Sequence, residues 1–163
     1  MIRTLFTASL LLVLGFSLAC SMAIRYGHAD VPVAATADAI QPLVAGDLAP
    51  RFSVETVDSN TFDFDPTRLE KPVLLLAFRG GWCPYCNVYL SDMRHVIPRI
   101  QAMGIDVYFL SGDRPELLYA SLGRDLDYTI LSDANAQAAI ALGIAFKASE
   151  RTVQRRHEKG QDI

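Results

Sequence analysis

The sequence predicts an α/β domain built on a mainly parallel sheet, preceded by an apolar N-terminal segment. Two apolar runs, residues 72–78 and 105–110, have the length of buried strands. A 20-residue amphipathic stretch separates them, the arrangement expected of two parallel strands joined by a crossover helix. The alternation of strand and helix then continues to residue 142, as layered α/β architectures require.

Residues 4–24 carry no charge and are rich in Leu, Phe, Ala and Val. This is enough for a bilayer-spanning helix, which takes about 20 residues. Arg3 precedes the segment, so the N-terminus is expected on the cytoplasmic side and the remainder beyond the membrane, periplasmic or extracellular. Residues 1–25 are therefore expected to be an anchor or a cleaved signal peptide, with Ser17 and Ala19, or Gly27 and Ala29, as small residues in a cleavage pattern. Leu18-Ala19-Cys20 also resembles a bacterial lipobox, with Leu two residues before the Cys where three is usual. Otherwise Cys20 is a small apolar residue of a membrane helix. Residues 26–45, rich in Ala, Pro, Val and Asp and without periodicity, read as a linker.

The domain is expected to begin near Gly46. In residues 51–57, Phe52, Val54 and Thr56 alternate with polar neighbours, which suggests an exposed edge strand. Ser59-Asn60 is a turn signal, and residues 61–64 a short return strand. Residues 72–78 (PVLLLAF) have the continuous apolar character of a strand buried on both faces. Residues 84–103 read as a helix, with Val88, Leu90, Met93, Val96, Ile97 and Ile100 near a 3.6 period. Gly104 ends it and Pro98 should kink it. Further elements follow: strand 105–110, helix 115–122, strand 128–131, and an Ala-rich helix 134–142 capped by Asp133. Residues 147–163 are a polar, charged helix or tail.

Of three cysteines, only Cys83 and Cys86 fall in the folded part, too few for a multi-disulfide scaffold. Two cysteines three apart at a strand-to-helix junction point to redox chemistry. Ligand and catalytic sites of open α/β sheets favour that edge. At the N-cap or first turn, the Cys83 thiolate would face unpaired backbone N–H groups and the positive helix end. Both lower a thiol pKa, and the thiolate is the nucleophile. Arg79 adds positive charge if it points inward. Pro84 suits the first helical turn. Cys86, a turn on, can attack a mixed disulfide at Cys83 and release the partner. Trp82 reads either as a flat contact surface beside the pair or as core packing.

Trp82-Cys83-Pro84-Tyr85-Cys86 after an apolar strand resembles the thioredoxin superfamily, and the tetrapeptide from Cys83 is similar to that of glutaredoxins. The wider pattern resembles the redoxin branch of alkyl hydroperoxide reductase and thiol-specific antioxidant proteins: GDLAPRF, the apolar strand, the Cys loop, VYFLSGD, and LSD…ALGIAF, over residues 46–146. The resemblance implies a thioredoxin-like three-layer α/β/α sandwich. It also implies a site of Cys83 and Cys86 supported by Arg79, Trp82, Pro84 and Tyr85, working without a cofactor. The partners implied are protein or small-molecule disulfides, peroxides or glutathione.

Two departures stand out. The peroxiredoxin signature Pro-x-x-x-Thr-x-x-Cys is absent: counting back from Cys83 gives Gly80 and Leu76, and from Cys86 gives Cys83 and Arg79. The family's cis-proline strand, hairpin strand and last helix have no counterpart either, since no proline follows Pro115. The chain thus reads as C-terminally shortened, with residues 46–146 as redox domain and 147–163 as tail.

The main expectation is thiol–disulfide oxidoreduction. The alternatives are a peroxiredoxin-like thiol peroxidase and a non-catalytic membrane-anchored binding module. With 15 basic and 18 acidic residues and a net charge of -3, nothing suggests nucleic acid. The basic tail residues Arg151, Arg155, Arg156 and Lys159 are interleaved with Glu150, Glu158 and Asp162, and read as a solvated helix face. Zinc would need two more ligands than one CxxC supplies, and His28, His95 and His157 are scattered, so no metal is expected; copper held by the two cysteines and a distant His is a weaker rival. A structural CxxC disulfide would close too short a loop to stabilise much.

Overall fold

The computed structural model describes residues 33–122 and 128–160. Residues 4–24, Cys20 and His28 lie outside them, as do the signal, anchor and lipobox expectations. Among the described residues, no helix is long and apolar enough to cross a membrane.

Five strands form one mixed sheet: β1 (Phe52–Thr56), β2 (Thr61–Phe64), β3 (Val73–Phe78), β4 (Asp106–Ser111) and β5 (Thr129–Ser132), in the spatial order β2-β1-β5-β4-β3. β3, β4 and β5 are parallel, with Leu75 opposite Tyr108 and Phe109 opposite Ile130. β1 runs antiparallel to both β2 and β5. The helices are α1 (Pro84–Ala102), α2 (Pro115–Leu122), α3 (Gln137–Ala141) and α4 (Glu150–His157).

Strand alternation gives the sheet two cores. Val107, Phe109 and Ile130 face Leu90 and Ile97 of α1 and Leu118 of α2. Leu110 and Leu131 face the other way, with Phe52, Val54, Phe64 and Ala138 of α3. The result is a thioredoxin-like α/β fold, with helices against both faces of the sheet.

Several expectations are corrected here. β1 is not an edge: it lies between β2 and β5. An interior antiparallel strand with one solvated face shows the same alternation as an edge strand, and Phe52 and Val54 are buried. Conversely β3 is an edge. Among the described residues it pairs with β4 alone, and its residues are half-buried except Ala77, which is exposed. The Ala-rich helix starts later than residue 134, because Ala136 adopts a left-handed φ of 55°. Asp133 nevertheless caps it, accepting from the N–H groups of Ala138 and Ala139 at 2.9 and 2.8 Å. α1 runs on through Pro98 and ends before Gly104, whose φ is +77°. The boundaries of β4 and β5 each move one residue C-terminally.

Residues 33–45 make backbone contacts with the segment after α3. Ala34 N–H donates to Ala145 O, Lys147 N–H to Ala34 O, and Gln41 N–H to Gly143 O. Gly143 has a φ of +71°, and a Cβ there would strike the Gln41 carbonyl. In the C-terminal segment, residues 150–157 form α4, whose N-cap Ser149 accepts from Thr152 N–H.

Candidate active site

The parallel pair β3–β4 delivers two loops to one sheet end, because parallel strands finish side by side. After β3 come Arg79, Gly80, Gly81, Trp82 and Cys83; after β4 come Gly112 and Asp113. The first loop turns sharply at Gly80, whose φ of +152° is one that side-chain-bearing residues rarely adopt. A Cβ at Gly80 would meet the Asp113 carboxylate and the Trp82 indole nitrogen, and one at Gly81 would meet the Ser121 side chain. The loop is thus pressed between Asp113 and α2.

Cys83 is the N-cap of α1, followed by Pro84 at the first helical position. Its Sγ accepts from the Cys86 backbone N–H at 3.4 Å, doing what a Ser or Asp oxygen does at other N-caps. The Arg79 guanidinium donates to the same sulfur at 3.0 Å. Burial pushes the Cys83 thiol up, for its side chain has 0% exposure. Hydrogen bonds from the Cys86 thiol and N–H and from Arg79, with the Arg79 charge, outweigh that and hold it below the ordinary thiol value. The same contacts push the already high Arg79 value further up, the hydrogen bond to Cys83 first among them. Arg79 does therefore point inward, although the residue is exposed. Both cysteines are free thiols; Cys86 is half-buried, while Pro84 and Tyr85 are exposed.

Trp82 is neither plain core nor a bare surface. It is half-buried, and its indole N–H donates to Asp113 Oδ1 at 3.1 Å. The Arg156 guanidinium of α4 lies over its ring at 3.8 Å from the centroid, and that of Arg79 at 5.6 Å. Reading α4 as a wholly solvated face is corrected for Arg156, which is half-buried against this ring; Arg151, Arg155 and Lys159 are exposed as expected.

Asp113, Asn87 and Arg156 are site residues that sequence reasoning missed. Asp113 Oδ2 accepts from Gly81 N–H at 2.9 Å, and Asn87 Nδ2 donates to Gly81 O at 3.0 Å. The available signal for Asp113 was an acidic residue just past the second parallel strand, beside the end of the first. No described cluster of His, Cys, Asp and Glu has three members able to hold a metal. His95 and His157 are exposed on α1 and α4. The site can therefore present a stabilised thiolate with a second thiol one turn away.

A sequence model of the AhpC/TSA family matches residues 45–158. The Escherichia coli protein named Peroxiredoxin Bcp is 32% identical over 109 residues, covering 64% of this chain and 67% of the relative. A structure of a yeast mitochondrial 1-Cys peroxiredoxin superposes with a TM-score of 0.53 at 16% identity, over 66% of this chain and 56% of that one. A hypothetical protein of Sinorhizobium meliloti gives 0.51 at 17% identity, over 64% and 61%. The chain thus spans less than two thirds of either structural neighbour, and those two likenesses speak for the fold.

Proposed function

We propose, from the premise that this chain belongs to the AhpC/TSA family of the thioredoxin-like superfamily, that it is a thiol-dependent peroxidase in which Cys83 attacks and Cys86 resolves. The observation that carries the reading is the pair of donors on Cys83 Sγ, Arg79 at 3.0 Å and the Cys86 N–H at 3.4 Å. They favour the thiolate, the form that attacks an O–O bond. The Cys83 sulfur takes the outer oxygen of a hydroperoxide, becoming a sulfenic acid, and the alkoxide or hydroxide leaves and takes a proton. The Cys86 thiol then attacks the sulfenic sulfur, releasing water and forming the Cys83–Cys86 disulfide. An external dithiol or glutathione supplies the two electrons that reopen it. Arg79 also offers a fixed positive charge where the leaving oxygen becomes negative.

A second reading, dithiol–disulfide exchange at the same pair, is favoured by a specific observation. Gly80 and Leu76 stand where the peroxide-binding Thr and Pro of the peroxiredoxin signature would precede Cys83. An adjacent thiol makes resolution of a mixed disulfide effectively intramolecular, so exchange asks less of the surroundings. The deciding experiment compares hydrogen peroxide and an organic hydroperoxide with insulin as oxidants of the reduced protein, using Cys83→Ser as background. Peroxide consumption above that background supports the peroxidase. Background-level consumption together with insulin reduction assigns the protein to exchange.

We also propose that residues 4–24 tether or export the domain to the non-cytoplasmic side, since no charge interrupts them. Protease added to spheroplasts should remove the domain; full protection would overturn this.

A further inference from the structure

The cysteine loop is held in place by a carboxylate from outside it. Asp113 is buried, with 6% exposure, and each carboxylate oxygen takes one loop donor: Oδ2 the Gly81 N–H, Oδ1 the Trp82 indole N–H. Its own backbone is tied down on both sides. Its N–H donates to Ser111 Oγ at 3.1 Å, and its carbonyl accepts from Ser132 Oγ at 2.8 Å. Asp113 is thus a post anchored to the ends of β4 and β5.

The loop needs such a post. Two successive glycines leave the backbone before Cys83 with wide conformational freedom, and the sulfur gains its donors only in one placement of that backbone. We infer that Asp113 is a positioning residue for the redox pair: by clamping Gly81 and Trp82, it holds Cys83 at the start of α1, within reach of Arg79 and the Cys86 N–H. With both oxygens engaged as acceptors, the carboxylate serves as a clamp for the loop rather than as a base.

The inference rests on reading Cys83 as the nucleophile, but its test needs no turnover. A clamp and a bare charge act in opposite directions. A buried anion acting only through its field disfavours a nearby thiolate, so neutralising it would lower the Cys83 pKa. Loss of a clamp takes the sulfur from its donors and raises that pKa, whatever it does to access. Asp113→Asn is informative because the amide keeps one acceptor and presents N–H groups where the other was, opposite a donor. Adding Trp82→Phe removes the indole donor and lets the remaining acceptor serve Gly81.

The measurement is the pH profile of iodoacetamide alkylation of Cys83, read by fragment mass mapping in the reduced full-length chain. Asp113→Asn should move the midpoint of the Cys83 profile to higher pH by about 0.5–1 unit. The double variant Asp113→Asn, Trp82→Phe should return to the profile of Trp82→Phe alone. A profile midpoint that is unmoved or lowered in Asp113→Asn, or a double variant whose midpoint is no nearer that of Trp82→Phe, overturns the inference. Thermal melting accompanies each variant, since a merely structural aspartate lowers Tm without moving the profile. Should Asp113→Asn not fold, the comparison moves to the Trp82→Phe background. There Asp113→Asn should match its parent and Asp113→Ala should have the higher profile midpoint; equal midpoints overturn the inference. Peroxide turnover on the same wild-type sample keeps the two claims apart, because a silent peroxidase leaves the alkylation cycle fully readable.

Discussion

Arg79 and Cys83 meet across the turn at Gly80, guanidinium to sulfur at 3.0 Å, with two glycines and Trp82 between them. The arginine leaves the end of β3 while the cysteine opens α1, so the contact closes the strand-to-helix junction on itself. Replacing Arg79 with Ala removes a donor and a positive charge together. The Cys83 pKa should then rise, and alkylation at neutral pH should slow by about three- to tenfold, a range moderated by the solvent around an exposed side chain. Arg79→Lys should recover part of the rate by charge alone. A pH–rate profile unmoved by Arg79→Ala would show that the contact does not tune the thiol.

The same lowered value ties folding to pH. A thiol whose folded-state pKa lies below its unfolded value contributes stability fully above the unfolded pKa. That contribution fades as pH falls through the folded value. The Tm difference between wild type and Cys83→Ser should therefore be larger at mildly alkaline than at mildly acidic pH. A difference independent of pH would contradict the assignment.

Roles within the pair separate by trapping. Cys83→Ser should reduce oxidation by peroxide or disulfide to background. Cys86→Ser should still react once, and then accumulate a Cys83 sulfenic acid or a mixed disulfide visible by mass. Accumulation in Cys83→Ser instead would exchange the two roles.

Gly81 is packed against Ser121 of α2 with no room for a methyl group. Gly81→Ala should destabilise the fold by about 1–3 kcal/mol, as overpacking of a fitted contact does. Adding Ser121→Gly should recover part of that. Equilibrium urea unfolding measures both, and an additive double variant would show that the two positions do not press on each other.

Trp82 is the only tryptophan in the chain, so emission excited selectively from tryptophan reports on this site alone. Arg156→Ala should alter the emission and increase acrylamide quenching, because the guanidinium over the ring is removed. The stability cost should be about 0.5–1 kcal/mol, the range of a cation–π contact near solvent. Unchanged quenching would mean that α4 does not cover the indole.

The succession of strands and helices was legible in the sequence because hydrophobic periodicity is local. The cysteine at the start of α1 was legible for the same reason: an apolar strand, glycines and a proline lie within a dozen residues. Sheet order was not. Inserting β1 between β2 and β5 depends on pairings such as Thr56 with Leu131, and the alternation of Phe52 and Val54 suits an edge and an interior position equally. Asp113 enters the sequence reading only as the last residue of VYFLSGD, because its role depends on Gly81, 32 positions away. Arg156 looked solvated because interleaved charges describe one helix and say nothing of the indole it meets.

A sulfur without exposed surface imposes a kinetic consequence. No oxidant reaches Cys83 until its surroundings open, so the observed rate is an opening equilibrium multiplied by an intrinsic reaction. At low oxidant the rate grows linearly with concentration. At high oxidant capture outruns reclosing, and the rate levels off at the opening rate itself. Chemically different oxidants that use the same opening should therefore share one plateau while differing in the concentration needed to reach it.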